Sequence, residues 1–147
     1  MMFAWKPTIS PNSILVALFI SDQTGDSVLW ESSFQEKGFT TAHDTPQNAL
    51  HTCRVVDPAI CIVDTNLTHE KQLEFCLKLR SVTSAPIILL VPDCDGKQMT
   101  DIYNIGIDEC LLKPFSPAFL VVKATSWLLR RRWLGYDANL SHVYNNT

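Results

Sequence analysis

Ile14 to Ile20 is an unbroken apolar run, and runs of the same kind recur at Ala59–Val63 and Pro86–Val91, with a shorter strand, Glu109–Leu112, apolar after its first residue. Short apolar runs without alternation predict strands covered on both faces. Helical signals fill the gaps. A polar stretch, Ser21–Asp26, leads into a helix capped by Asp26 or Ser27, with Trp30 and Phe34 four apart on one face and Gly38 past its end. Phe39–His43 is short and reads as a second strand. Thr45-Pro46 opens the next helix with an N-cap hydroxyl and Pro at the first helical position. Its buried stripe is Ala49, Leu50, Cys53 and Val56, and Asp57-Pro58 ends it.

A third helix covers about Thr68–Arg80, with Leu73, Cys76 and Leu77 facing inward. The acidic loop Pro92–Gly96 precedes a weaker helix from Gln98 to Ile105, which Gly106 stops. Ser116-Pro117 repeats the N-cap and Pro signature and starts a last helix reaching about Trp133. Residues 1–13, with Pro7 and Pro11 and no periodicity, read as a tail, and residues 14–133 as the folded domain. Strands alternating with helices, most strands apolar throughout, predict a parallel sheet covered on both faces. Five such units give an α/β, flavodoxin-like doubly wound fold, (βα)5, with strand order 2-1-3-4-5. In folds of this kind ligands sit beyond the carboxyl ends of the strands.

Composition narrows the classes. The chain has 147 residues, the size of one domain, and is 46% hydrophobic and 18% charged, which excludes a disordered chain. A net charge of −3 provides no global basic field for nucleic acid. The apolar run near the N-terminus is too short for a membrane span. Five cysteines, Cys53, Cys61, Cys76, Cys94 and Cys110, form no CxxC pair and fall mostly inside apolar segments, so packing roles in a reducing cytoplasm are expected.

The predicted strand ends carry the chemistry. The first strand ends at Ser21-Asp22, the third at Asp64, the fourth at Val91-Pro92 and the fifth at Lys113-Pro114. Two carboxylates and a lysine from distant parts of the chain thus meet on one edge. Carboxylates with backbone carbonyls suit a hard cation such as Mg²⁺, and a lysine suits a phosphoryl group. Together they describe a site for moving phosphate onto a carboxylate nucleophile.

On these residues, and on "DPAICIVD", "APIILLV", Gly106-Ile107-Asp108-Glu109 and "LLKPFSP", the chain resembles the receiver domains of two-component response regulators. The resemblance implies that Asp64 accepts phosphate from a histidine kinase or phosphotransfer protein. It implies Mg²⁺ held by Asp22, Asp64 and the backbone carbonyl of Asn66, and Lys113, from a cis Lys-Pro peptide, paired to the phosphoryl group. Such a chain catalyses at most its own phosphorylation and dephosphorylation. Relatives joined to DNA-binding domains share "KPFSP…LLRR" and often dimerise through the fourth helix, fifth strand and fifth helix. Asp108, Glu109, Lys123 and Arg130 are the candidate cross-dimer ion pairs. Residues 134–147 then read as a tail or a linker to a missing output domain, through which alone DNA would be reached.

Besides Leu67-Thr68-His69-Glu70, which replaces the Pro and Gly usual after the phosphorylated aspartate, three positions depart from the family pattern. Ser21 stands where receivers carry a first acid; it can hold a metal-bound water but adds no charge. Val91 replaces a hydroxyl that donates to the phosphoryl oxygen, a loss of about 1–3 kcal/mol. Cys110 replaces the switch aromatic. These motivate the alternative of an unphosphorylated pseudo-receiver acting as a constitutive interaction or dimerisation module. A flavodoxin-like redox or nucleotide-binding protein fits the sheet but lacks a Gly-rich phosphate loop. The Pro92–Gly96 loop could supply a replacement acid, although a solvated turn is the simpler account. His69, at a helix start, is expected to be solvated, and Arg130-Arg131-Arg132 to complement the last helix dipole.

Overall fold

The structure, a computed structural model, describes residues 14–145 apart from 24 and 26, with side chains as far as residue 131. Five strands and five helices alternate: β1 (Val16–Ser21), α1 (Val28–Glu36), β2 (Thr40–Asp44), α2 (Pro46–Val56), β3 (Ile60–Asp64), α3 (His69–Val82), β4 (Ile87–Val91), α4 (Gly96–Asn104), β5 (Glu109–Leu112) and α5 (Pro117–Asn145). All strand pairs are parallel in the order β2-β1-β3-β4-β5. This is the flavodoxin-like (βα)5 arrangement that the run pattern predicts.

The apolar strands split by parity into two cores. Leu18, Ile20, Cys61, Val63, Ile87 and Leu89 face α2, α3 and α4, packing on Ala49, Cys53, Phe75, Cys76, Leu79 and Ile102. Ala17, Phe19, Ile60, Ile62, Ile88 and Leu90 face α1 and α5, packing on Phe34, Leu120 and Ala124. Each fully buried large aliphatic or aromatic side chain contributes about 1.5–3 kcal/mol, so this two-sided burial explains strands with no polar alternation. Only β2, at the sheet edge, is polar, and four of its five residues are half-buried.

Several local expectations change. Leu77 is 56% exposed, and Phe75 and Leu79 are buried instead. Both pairs fit an i, i+4 stripe, and contact with the sheet selects one. Ser27 and Thr45 stand at their N-cap positions, but neither side chain accepts a helix N–H. Ser27 Oγ donates to Glu31 instead (2.6 Å). The alternative cap, Asp26, lies outside the described residues, as does the tail at 1–13. α4 starts two residues earlier than Gln98, because Asp95 and Gln98 form a reciprocal capping box. α5 continues past Trp133 to Asn145. Gly135 does not stop it, since one internal Gly costs only about 1 kcal/mol relative to Ala.

The amino ends of the strands are locked by ions. Arg80 donates to the carbonyls of Thr83 (2.8 Å), Ala85 (2.5 Å) and Gly106 (3.0 Å) and to Asp108 Oδ2 (2.9 Å). Asp108 also accepts from the Ile87 N–H (2.8 Å) and from Arg131 (2.7 Å). Gly106 has φ +101°, and a Cβ there would lie 2.8 Å from Arg80 Cδ, so glycine is required both by conformation and by space.

Candidate functional site

The sheet register brings the charged strand ends together. Ser21 pairs with Asp64 across β1 and β3, which sets Asp22 one residue beyond that level. Lys113 extends the β4–β5 ladder by donating its N–H to the Val91 carbonyl (2.8 Å). Its Nζ donates to Asp64 Oδ1 at 2.7 Å, and the Lys113-Pro114 peptide is cis. The lysine side chain is 32% exposed and the aspartate 18%, so this charge-assisted contact is only partly screened by solvent. Asp22 Oδ2 accepts from the Asn66 N–H at 2.6 Å, which ties the loop after β1 to the loop after β3.

Asp22 and Asp64 thus stand on one edge with the Asn66 backbone beside them, and two carboxylates are the donor chemistry that fits Mg²⁺ completed by water. Among the described residues no three His, Cys, Asp or Glu side chains gather into a protein-only metal cage. Carboxylate donors suit Mg²⁺ better than a transition metal, which favours nitrogen and sulfur ligands.

The three departures have definite partners. Ser21 is buried, its Oγ 3.2 Å from the Gln23 carbonyl and 2.6 Å from His43 Nε2. With the hydroxyl hydrogen given to Gln23, Oγ accepts from His43. Ser21 thus has two protein partners of its own, and its hydroxyl oxygen keeps one further acceptor lone pair. Val91 is 7% exposed and belongs to the core on the α3–α4 side. The Cys110 N–H donates to the Tyr103 hydroxyl (3.0 Å), and burial, reinforced by nearby Cys94, pushes the Cys110 thiol up to about 12.

Other predicted residues are placed differently from expectation. His69 is not merely solvated: its Nε2 lies 3.3 Å from Asp101 Oδ2, which also accepts from Lys97, so it bridges α3 to α4. The His69 hydrogen bond holds the Asp101 carboxyl below its usual value. In the Pro92–Gly96 loop, Asp95 serves as the α4 cap. Lys123 pairs with Glu109 (3.0 Å), the Trp127 indole N–H donates to the same carboxylate (2.6 Å), and the Arg130 guanidinium lies over the Trp127 ring. With Asp108 bound to Arg80 and Arg131, the four interface candidates all have partners within one chain.

Two pairs near the site carry no sequence signal of their own. Thr65, next to Asp64, donates to buried Gln72 (2.6 Å) beside a 260 Å³ cavity lined by Val91, Asp93, Cys94 and His69. His43 lies on β2, whose polar residues hide its strand end from a search for apolar runs.

Solved structures share this fold. A CheY-like receiver domain protein from Methanospirillum hungatei matches with a TM-score of 0.72 and 18% identity over 80% of this chain and 96% of that one. A two-component response regulator from Clostridium difficile matches with 0.70 and 21% identity over 80% and 97%. The fold is thus that of CheY-like response regulator receiver domains.

Among curated proteins the chain is similar to response regulators. It is 27% identical over 115 residues to the DNA-binding response regulator MtrA of Mycobacterium tuberculosis, covering 77% of this chain and 50% of that protein. It is 27% identical over 117 residues to the transcriptional regulatory protein CseB of Streptomyces coelicolor, covering 77% and 49%. The chain spans about half the length of these curated relatives. No protein-family model matches it.

Proposed function

We propose that this chain is a two-component receiver that takes a phosphoryl group onto Asp64 from a phosphohistidine of a sensor kinase or phosphotransfer protein. The observation that carries the reading is the Lys113 Nζ–Asp64 Oδ1 contact of 2.7 Å at the carboxyl edge of the sheet. Lys113 orients the carboxylate and leaves Oδ2 as the attacking oxygen. A P–N bond on the donor breaks as the P–O bond to Asp64 forms, and the lysine ammonium then neutralises phosphoryl oxygens. Asp22, Asp64 and the Asn66 carbonyl would hold Mg²⁺, which when bound offsets the negative charge of the incoming group.

The output is altered partner binding rather than turnover of a released product. DNA would be reached only through an output domain of the kind the names of the curated relatives imply. The absence of any disulfide among five free cysteines supports a reducing, cytoplasmic setting.

A second reading rests on Ser21 and Val91. With a serine bonded to His43 and Gln23 in place of the first acid, and Val91 in place of a hydroxyl residue, the site offers one carboxylate fewer and one hydroxyl fewer than the receiver pattern. On that reading the chain is a pseudo-receiver whose partner contacts ignore phosphate. Intact mass after incubation with acetyl phosphate and Mg²⁺, with Asp64→Ala alongside, separates the two. One labile phosphate lost in the variant supports the receiver; no adduct from acetyl phosphate or from a phosphohistidine donor supports the pseudo-receiver.

A further inference from the structure

α5 has two apolar faces, and the sheet uses only one. Leu120, Val121 and Ala124 are buried against the β-sheet, and Arg131 is the last described side chain tied to the body, through Asp108 and the Ser84 carbonyl. On the outward face Phe119, Val122 and Leu129 are 42%, 65% and 47% exposed. With exposed Ser126 they are spaced three, four and three residues apart. Val122, Ser126 and Leu129 also line an open groove of 670 Å³ shared with Leu15, Lys37 and Phe39.

The helix does not end where the body ends. α5 is 29 residues long, whereas α3, the longest other helix, has 14. The sequence carries the same spacing onward through Trp133, Tyr136, Leu140 and Val143. Positions 119, 122, 126, 129, 133, 136, 140 and 143 are the a and d sites of consecutive heptads, and only Ser126 among them is not aliphatic or aromatic. Apolar heptads sustained over three or more repeats define a coiled-coil seam, which requires a partner helix. Gly135 falls at a c site, away from that seam.

We propose that α5 pairs with α5 of a second copy of this chain as a parallel two-stranded coiled coil running from Phe119 to Val143. A seam repeated in register complements itself under two-fold symmetry, so the same face serves both partners. The flanking charges select the parallel orientation. Arg132 takes a g site and Asp137 the following e site, the two positions that meet across a parallel pair, and symmetry repeats the attraction. The other g–e combinations, Thr125 with Arg130 and Asn139 with Tyr144, oppose no like charges. Trp127, which holds Glu109 of β5, falls at a b site away from this seam, Lys123 flanks the seam at an e site, and the interface does not depend on phosphorylation of Asp64.

The test is the mass of the full 147-residue chain in solution by light scattering and sedimentation equilibrium. The chain is expected to be a dimer at micromolar concentration. Val122→Glu and Leu129→Glu are expected to convert it to a monomer that still unfolds cooperatively, since both side chains are exposed in the single chain, with a melting temperature that no longer depends on protein concentration. Ser126→Cys, oxidised by glutathione disulfide, is expected to crosslink the dimer, with the unsubstituted chain as background for its native cysteines. A monomeric chain at hundreds of micromolar, or a dimer that survives both glutamate substitutions, overturns the proposal. A Ser126→Cys dimer that does not crosslink overturns the parallel register.

Discussion

Ser21 Oγ lies 2.6 Å from His43 Nε2, joining the last residue of β1 to the penultimate residue of β2 directly beside Asp22. A serine–histidine pair thus occupies the position where the receiver pattern has a first acid. The charge available to a cation falls to Asp22 and Asp64.

Ser21→Asp is therefore expected to tighten Mg²⁺ binding by roughly three- to tenfold, because it adds a carboxylate within a few ångströms of the ion. The gain is limited while His43 shares that carboxylate, so Ser21→Asp with His43→Ala is expected to bind more tightly still. Isothermal titration calorimetry with Mg²⁺ measures both, and equal affinity in all three proteins would remove Ser21 from the account.

Val91→Thr places a hydroxyl at the end of β4. In the phosphorylated chain it can donate to a phosphoryl oxygen, worth about 1 kcal/mol, and extend the adduct's lifetime several-fold. In the unphosphorylated chain the same hydroxyl is buried among apolar neighbours and is expected to destabilise the fold by about 1–2 kcal/mol. Adduct half-life by intact mass and unfolding in urea read the two effects separately. A stabilised fold with an unchanged half-life would contradict the placement of Val91.

Arg80→Ala is expected to cost about 3–5 kcal/mol, because it leaves a mostly buried Asp108 with one fewer cation and removes the donor to three carbonyls. Arg80→Lys is expected to recover little, since an ammonium cannot span Asp108 and the Thr83 and Ala85 carbonyls as the planar guanidinium does. Urea midpoints give the comparison, and a loss below about 1 kcal/mol in Arg80→Ala would show that the network is not what anchors this end of the sheet.

Thiol accessibility tests the core. The hydrogen bond with Cys61 pulls the Cys53 thiol down to about 7, yet Cys53 is 2% exposed and should not react. Cys94 is the one cysteine not buried, and its thiol is raised, by burial first and then by Asp95. A thiol reagent at pH 8 is expected to modify Cys94 slowly and the other four only after unfolding. Rapid reaction of Cys53 in the native protein would contradict the packing of α2 on β3.

Much of this was legible in the sequence because two-sided burial leaves a plain mark. β1, β3 and β4 are continuous apolar runs and β5 ends in a shorter one, so Asp22, Asp64 and Lys113 could be found from where the hydrophobicity of β1, β3 and β5 ends. His43 and Asp44 were not, because an edge strand is half-solvated and carries no such run. Leu77 was misplaced because periodicity fixes a stripe's spacing but not which of two stripes meets the sheet. Asp108 reads in sequence as a cross-dimer candidate, and its pairing with Arg80 gave no signal: an ion pair across 28 residues depends on the fold that creates it. Trp133 looked like a helix end because the heptad that carries the helix onward reads as polar sequence when Asn139, Ser141, Asn145 and Asn146 are weighed without their spacing.

The role of Asp64 is tested most directly by trapping the acyl phosphate chemically. The chain is incubated with acetyl phosphate and Mg²⁺, reduced with borohydride, digested and mapped by mass spectrometry, with Lys113→Ala in parallel. The expected result is a reduced side chain at Asp64 alone, at least tenfold less abundant in the Lys113→Ala protein, as befits the loss of one positioned cation. An unmodified Asp64 under saturating donor, or modification at another carboxylate with Asp64 intact, would contradict phosphoryl acceptance at this strand end.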